Sequence, residues 1–209
     1  MKNSPVTDDG AIAGNYYDKY GSKNPLVRWM MRGFLNSFEK FVDLSKAKTV
    51  HEIGCGEGRL SALMAQKGLS VRACDYSDEI VEKAKGFLKE SGVKADVVKK
   101  SVYDLNKNDA ADLMVCCEVL EHLEDPELAV QSILGTGAGH FIFSVPREPL
   151  WRFLNMIRGK YILSLGNTPG HIQHWSSGGF EAFLGRHFDI IQVTRPLPWT
   201  MIYCVKKKQ

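Results

Sequence analysis

Between residues 49 and 146 short apolar runs alternate with amphipathic stretches. TVHEIG, SVRACD, ADVVKK, DLMVCCEV and GHFIFSVP read as strands. Residues 57–67, 78–90 and 126–134 read as helices; Gly92 follows the second and Asp125-Pro126 opens the third. Strands and helices alternating at this spacing form βαβ units. Runs as uniformly apolar as DLMVCCEV suit a parallel sheet covered on both faces. Upstream, Leu26, Met30, Phe34, Phe38 and Phe41 recur at steps of three or four, with Val27, Met31, Leu35 and Val42 beside them. That period predicts a helix over 25–43, capped by Asn24 and started by Pro25. Downstream the rhythm breaks. Residues 147–161 predict a basic helix with Leu150, Leu154, Ile157 and Tyr161 on one face. LGNTPG is a turn cluster, GGFEAFLGRHF a further helix, and 188–195 and 199–206 two strands. Only Pro196, Leu197 and Pro198 join that pair, too few for a crossover, so the two strands are antiparallel. The predicted fold is α/β, a doubly wound, mostly parallel seven-stranded sheet with an antiparallel C-terminal strand pair and an N-terminal helix. Its expected divisions are a helical extension over 1–48 and a main domain over 49–209 with a helical insertion about 147–175.

Composition narrows the class. The 209 residues suit one ordinary domain, and 44% hydrophobic with 24% charged residues excludes disorder, collagen and coiled coil. Five cysteines, an odd number without a CxxC pair, argue against a disulfide framework or zinc ribbon and for a reducing, cytoplasmic setting. The start MKNSPVTDDG has no apolar core of a secretory signal, and no run approaches the roughly 20 apolar residues of a membrane span. The net charge of +3 conceals an asymmetry. Residues 1–48 hold eight Lys/Arg against five Asp/Glu, residues 49–146 ten against 16, and residues 147–209 nine against three. An acidic centre thus lies between basic flanks.

The chemistry begins at His51-Glu52-Ile53-Gly54-Cys55-Gly56-Glu57-Gly58, where a strand meets a helix. Glycines there let the backbone turn sharply and approach a ligand. The next strand ends in Asp75, 21 residues after Gly54, placed to accept both hydroxyls of a ribose. A dinucleotide oxidoreductase would carry GxGxxG, but Arg59 occupies the third glycine position. Glu52 and Glu57 also put negative charge where a pyrophosphate would need the opposite. Carboxylates suit a cationic ligand, and S-adenosylmethionine fits them better than NAD.

With Val50-HEIGCGEG and Asp75, the run Val115-CCEVLEHLED-Pro126 resembles the class I S-adenosylmethionine-dependent methyltransferases, in the ubiquinone-biosynthesis O-methyltransferase-like (type 11/12) branch. The resemblance covers about residues 48–146 and implies a Rossmann-like methyltransferase fold. It implies that Glu52 and the backbone of Gly54, Cys55 and Gly56 hold the methionine end. Asp75 would take the ribose and Tyr76 the adenine face. Ser101 and Val102 would meet the adenine edge; the family often has an acid where Ser101 stands, and Asp104 is a substitute candidate. Cys117 and Glu118 would lie by the sulfonium, and Tyr20 would close over the cofactor. The helix at 25–43 would act as a lid and 147–175 as a substrate cap.

Glu118, Glu121 and His122 share one short turn, with His171 later in GHIQHWS. Small-RNA 2′-O-methyltransferases and some ubiquinone-type enzymes use a similar Glu, Glu, His and distal His set for a divalent cation. A metal at Glu118, Glu121, His122 and His171 is therefore an alternative, and a loop-shaping role is the expected one. A general base, if the acceptor needs one, would be His122, His171 or His174. The expected acceptor is a small molecule, anionic or lipid-linked, bearing an oxygen, nitrogen or carbon nucleophile. The basic helix at about 147–160 could touch a membrane surface. No nucleic-acid partner is expected, since no basic stripe with interleaved aromatics occurs. The competing readings are an RNA or protein methyltransferase, a cofactor-binding protein without catalysis, and, more distantly, an oxidoreductase.

Overall fold

The computed structural model describes residues 6–8, 11–13, 20–157, 159, 161 and 164–207. Its main sheet has seven strands: β1 (Thr49–Ile53), β2 (Ser70–Asp75), β3 (Asp96–Lys99), β4 (Leu113–Cys117), β5 (His140–Pro146), β6 (Phe188–Thr194) and β7 (Trp199–Lys206). Their order is β3-β2-β1-β4-β5-β7-β6. The first five are parallel, and β7 runs antiparallel to both β5 and β6. A separate hairpin pairs Val6–Asp8 with Ala11–Ala13. The helices are α1 (Pro25–Ser45), α2 (Arg59–Gln66), α3 (Asp78–Glu90), α4 (Pro126–Gly135), α5 (Leu150–Ile157) and α6 (Ser177–Gly185). Among the described residues no helix is long and apolar enough to cross a membrane.

Alternation along the central strands decides which helix covers which face. Val50, Leu113, Val115, Ile142 and Tyr203 meet α1 on one side. Met114, Cys116, Phe141 and Phe143 meet α4 and α6 on the other. All five residues of β4 are buried, as the unbroken apolar run required. Asn24 caps α1 as expected, its side-chain oxygen accepting from the N–H groups of Leu26 (2.9 Å) and Val27 (3.4 Å). Phe34, Phe38 and Phe41 are fully buried, each contributing about 2–3 kcal/mol of apolar transfer. So α1 is a packed layer along most of its length, and only its first turns reach the ligand crevice. Leu26, expected on the buried face, is instead 54% exposed.

The winding reverses between β1 and β4, and this switch point opens a crevice at the strands' C-terminal ends. The expected helix over 147–161 is shorter, Leu150–Ile157. Pro149 disfavours helical geometry at Glu148, which moves the start inward. Arg158 and Lys160 lie outside the described residues. The five cysteines are all buried free thiols.

Candidate active site

One cavity of about 920 Å³ fills the switch point. Its first half is built by β1 and β2. Gly54 and Gly56 turn the chain at φ 67° and 53°, and Gly58 follows at 77°. The turn brings the Gly56 N–H to Asp75 Oδ2 (2.9 Å), tying the loop to the tip of β2. Glu52 is buried on the same wall and accepts a short hydrogen bond from the Ser61 hydroxyl of α2. Burial pushes its carboxyl up to about 8; Ser61 pulls it back and Asp75 adds to the rise. Burial likewise raises Asp75, against the pull of its backbone donors. Tyr20, Cys55, Tyr76, Ser101, Val102, Cys117 and Glu118 complete this wall, so every residue named for the cofactor lines one space. Asp104 is not on the wall.

The second half lies under α1 and the cap. Met30, Met31 and Phe34 come from α1, Trp151 and Leu154 from α5, and Trp199 from β7. The cap is held by polar bonds. The Trp151 indole N–H donates to Thr168 Oγ1 (2.8 Å), Asn155 Nδ2 to the Gly166 carbonyl (2.9 Å), and Arg152 Nε to the Leu165 carbonyl (3.0 Å). Gly166 allows this, at φ 77° with its α-carbon against the Arg152 carbonyl. A methyl group there would overlap that backbone oxygen. Gly166→Ala is expected to loosen 164–171 by about 2–4 kcal/mol. Hydrogen exchange should show faster amides in that segment and unchanged ones in β4; protection at the wild-type level would refute the packing described.

At the junction, the turn 120–123 is fastened to the cap. Ile172 and Gln173 both donate their N–H groups to the Glu121 carbonyl, at 2.8 and 2.9 Å. His122 Nδ1 lies 2.9 Å from the Gly170 carbonyl oxygen, so Nδ1 carries a proton and, in the neutral ring, Nε2 the lone pair. His122 Nε2 is 4.0 Å from Glu121 Oε1. The His171 ring meets His122 edge-on (4.9 Å) and stacks with Trp151 (5.9 Å). Ligand atoms of Glu121, His122 and His171 fall within 4.8 Å of one another.

Two expected placements are not met, and a third observation bears on the basic flank. Glu118 is outside that cluster: its carboxylate accepts from the Trp199 indole N–H (2.6 Å) and the Ser144 hydroxyl (3.2 Å). His174 is off the cavity wall, 4.0 Å from Glu148. And no Lys or Arg of the basic C-terminal flank lines the cavity among the described residues. Arg152 caps loop carbonyls, Arg186 pairs with Glu127 (2.9 Å) and Arg195 with Glu181 (2.6 Å). The wall's two cations, Arg59 and Lys100, are engaged by Glu57 (3.8 Å) and Asp109 (2.7 Å). These three side chains of the flank serve the scaffold. Trp151, Trp199 and Thr168 were not legible as site residues, since only the tertiary fold brings them to the wall, and Ser61 acts from behind it on Glu52.

The fold and cavity are those of a Rossmann-like domain binding an adenosine-type ligand. Residues 51–141 match the methyltransferase domain family. The ubiquinone biosynthesis O-methyltransferase of Nitrosomonas europaea is 35% identical over 136 residues, 63% of this chain and 58% of that one. Its namesake in Xanthomonas euvesicatoria is 32% identical over 165 residues, 74% and 66% of the two chains. The match thus spans about three fifths to two thirds of those relatives' length. The magnesium protoporphyrin IX methyltransferase of Synechocystis, solved with bound S-adenosylhomocysteine, superimposes with a TM-score of 0.68 at 22% identity, covering 92% of this chain and 90% of that one. This chain belongs to the class I S-adenosylmethionine-dependent methyltransferases.

Proposed function

We propose that this chain transfers a methyl group from S-adenosylmethionine to an oxygen of a small, largely apolar acceptor. The observation that carries the reading is one continuous cavity, acidic at the switch point and aromatic beneath the cap, with His122 between the halves. Glu52 and the Gly54–Gly56 backbone hold the methionine end, Asp75 the ribose, and Tyr76, Ser101 and Val102 the adenine. Cys117 and Glu118 border the sulfonium, and Tyr20 covers it. The sulfonium is already activated, so the protein's task is to align acceptor oxygen, methyl carbon and sulfur in line. The S–CH3 bond breaks as the O–CH3 bond forms, and sulfur leaves as a neutral thioether. His122 Nε2, with its lone pair set by the Gly170 carbonyl, takes the hydroxyl proton. Oxygen is favoured as the nucleophile because of this base and the O-methyltransferase relatives. His122→Ala is expected to lower kcat by about 10²–10³-fold with cofactor affinity unchanged. An equal loss of cofactor binding would remove His122 from the base role.

A second reading has a specific observation behind it. The cluster Glu121, His122 and His171 offers one carboxylate and two imidazoles, a set that suits a borderline divalent cation. Glu121 is buried and His122 half-exposed, which leaves room for a substrate oxygen. A cation there would lower the pKa of the acceptor hydroxyl. Under this reading exhaustive chelation abolishes activity and Glu121→Gln removes its restoration by added Mn or Zn. Full activity after chelation leaves the base reading alone.

The mouth of the cavity supports a lipid-linked acceptor over an anionic one. Leu26, Ile157 and Ile172 line the cavity and are also more than half exposed, and Trp29, Phe153 and Leu165 on the same segments are equally so. An apolar rim of this kind suits an acceptor presented from a membrane surface.

A further inference from the structure

Outside glycine, a left-handed backbone persists only where its surroundings hold it. Glu118, at the tip of β4, has φ 61°. Its N–H still donates to the Ser144 carbonyl (2.9 Å), so the ladder between β4 and β5 runs up to this residue and the chain turns there. Both carboxylate oxygens are held: Oε2 by the Trp199 indole N–H at 2.6 Å and Oε1 by the Ser144 hydroxyl at 3.2 Å. Trp199 comes from β7, 81 residues later. It is buried, edge-on to Phe34 of α1 (5.0 Å) and tilted against Trp151 of α5 (6.0 Å). Its ring is thus fixed on two sides and its one polar atom serves the carboxylate.

The same carboxylate faces the donor half of the cavity. Glu118 lines this space together with Tyr20, Glu52 and Cys117. That volume is the switch point between β1 and β4, where the charged end of the ligand must cross.

We propose that Trp199 is a positioning residue of the donor site: its indole N–H fixes the Glu118 carboxylate beside the sulfonium, and the pair sets the preference for the charged donor over its neutral thioether product. This inference rests on the methyltransferase reading above. Transfer converts the sulfonium to a thioether, so the attraction to Glu118 is present before the reaction and gone after it. A held carboxylate thereby favours exchange of product for fresh donor. A mobile one would discriminate less, because it could turn away or pair elsewhere.

Calorimetric titration of the full chain with S-adenosylmethionine and S-adenosylhomocysteine tests this. Glu118→Gln, nearly isosteric and still able to accept from Trp199, is expected to weaken donor binding about tenfold and product binding less than twofold. Trp199→Phe keeps an aromatic ring but loses the N–H; it is expected to move the donor-to-product ratio the same way by about threefold. Equal weakening of both ligands, or an unchanged ratio, in either variant overturns the proposal, and Glu118→Gln can still overturn it if Trp199→Phe does not fold. Wild-type protein that binds neither ligand would instead overturn the methyltransferase reading, so the two failures are distinguishable.

Discussion

Glu52→Gln is expected to weaken S-adenosylmethionine binding about 50-fold at pH 8.5, and hardly at all near pH 6. The carboxyl is buried, and its pKa near 8 means that the ligand-free protein keeps it largely neutral at physiological pH. The donor's ammonium group needs it ionised. Binding below about pH 8 therefore expels a proton, and wild-type affinity should rise about tenfold per pH unit up to that point. The glutamine variant has no such proton, so its profile should be flat over the same range. Calorimetry in two buffers of different ionisation enthalpy reads the released proton directly. Stability supplies the complementary sign. A carboxyl raised from 4.5 to about 8 binds more protons in the native than in the unfolded chain between those values. Ligand-free wild type should thus lose stability as pH rises through that window, and Glu52→Gln should not. A pH-independent donor affinity in wild type would show that Glu52 does not face the ammonium group.

Gly54→Ala is expected to abolish donor binding outright. Gly54 sits at φ 67°, where an alanine costs about 1–2 kcal/mol, and a methyl group there would overlap the Val119 side chain. Val119 follows Glu118, so relieving the clash by moving the backbone would displace the tip of β4 as well. Removing the clashing methyls should restore part of the function. Gly54→Ala with Val119→Ala is expected to recover at least about tenfold of the lost affinity, leaving the backbone strain as the remaining deficit. A double variant no better than the single one would place the strain, rather than the clash, at the origin of the loss.

Much of this site could be read from residue order because its chemistry is local. Gly54, Gly56 and Asp75 belong to one βαβ unit, whose geometry follows from a strand, a turn and a helix in succession. The helix at 25–43 was legible for a similar reason: its phenylalanines keep a helical period, and Asn24-Pro25 marks the start. The cap was less legible. In residues 150–157 Trp151, Leu154 and Ile157 reach the cavity while Phe153 and Met156 face outward, so apolar side chains lie beyond the one face that the sequence marks. Histidine identity alone could not separate His171 from His174, three residues apart; the Glu121 carbonyl, which binds the intervening amides, decides which ring turns inward. Trp199 was hidden most completely. Its partner Glu118 follows another strand of the sheet, and nothing in the run Pro196-Leu197-Pro198-Trp199 marks the indole as more than core. The charge asymmetry was legible in part: the acidic centre brings Glu52, Asp75 and Glu118 to the cavity wall, whereas Arg152, Arg186 and Arg195 of the basic tail cap a loop and pair with Glu127 and Glu181.

The central claim is that one cavity brings a sulfonium donor to an acceptor oxygen beside His122. It is tested most directly by incubating the protein with trideuteromethyl S-adenosylmethionine and phenols that differ only in an apolar side chain, followed by mass spectrometry. The account predicts a product carrying one trideuteromethyl group on oxygen, formed faster with the apolar chain and lost in His122→Ala. Donor binding without any labelled product across oxygen acceptors, or label found on nitrogen or carbon alone, would contradict it.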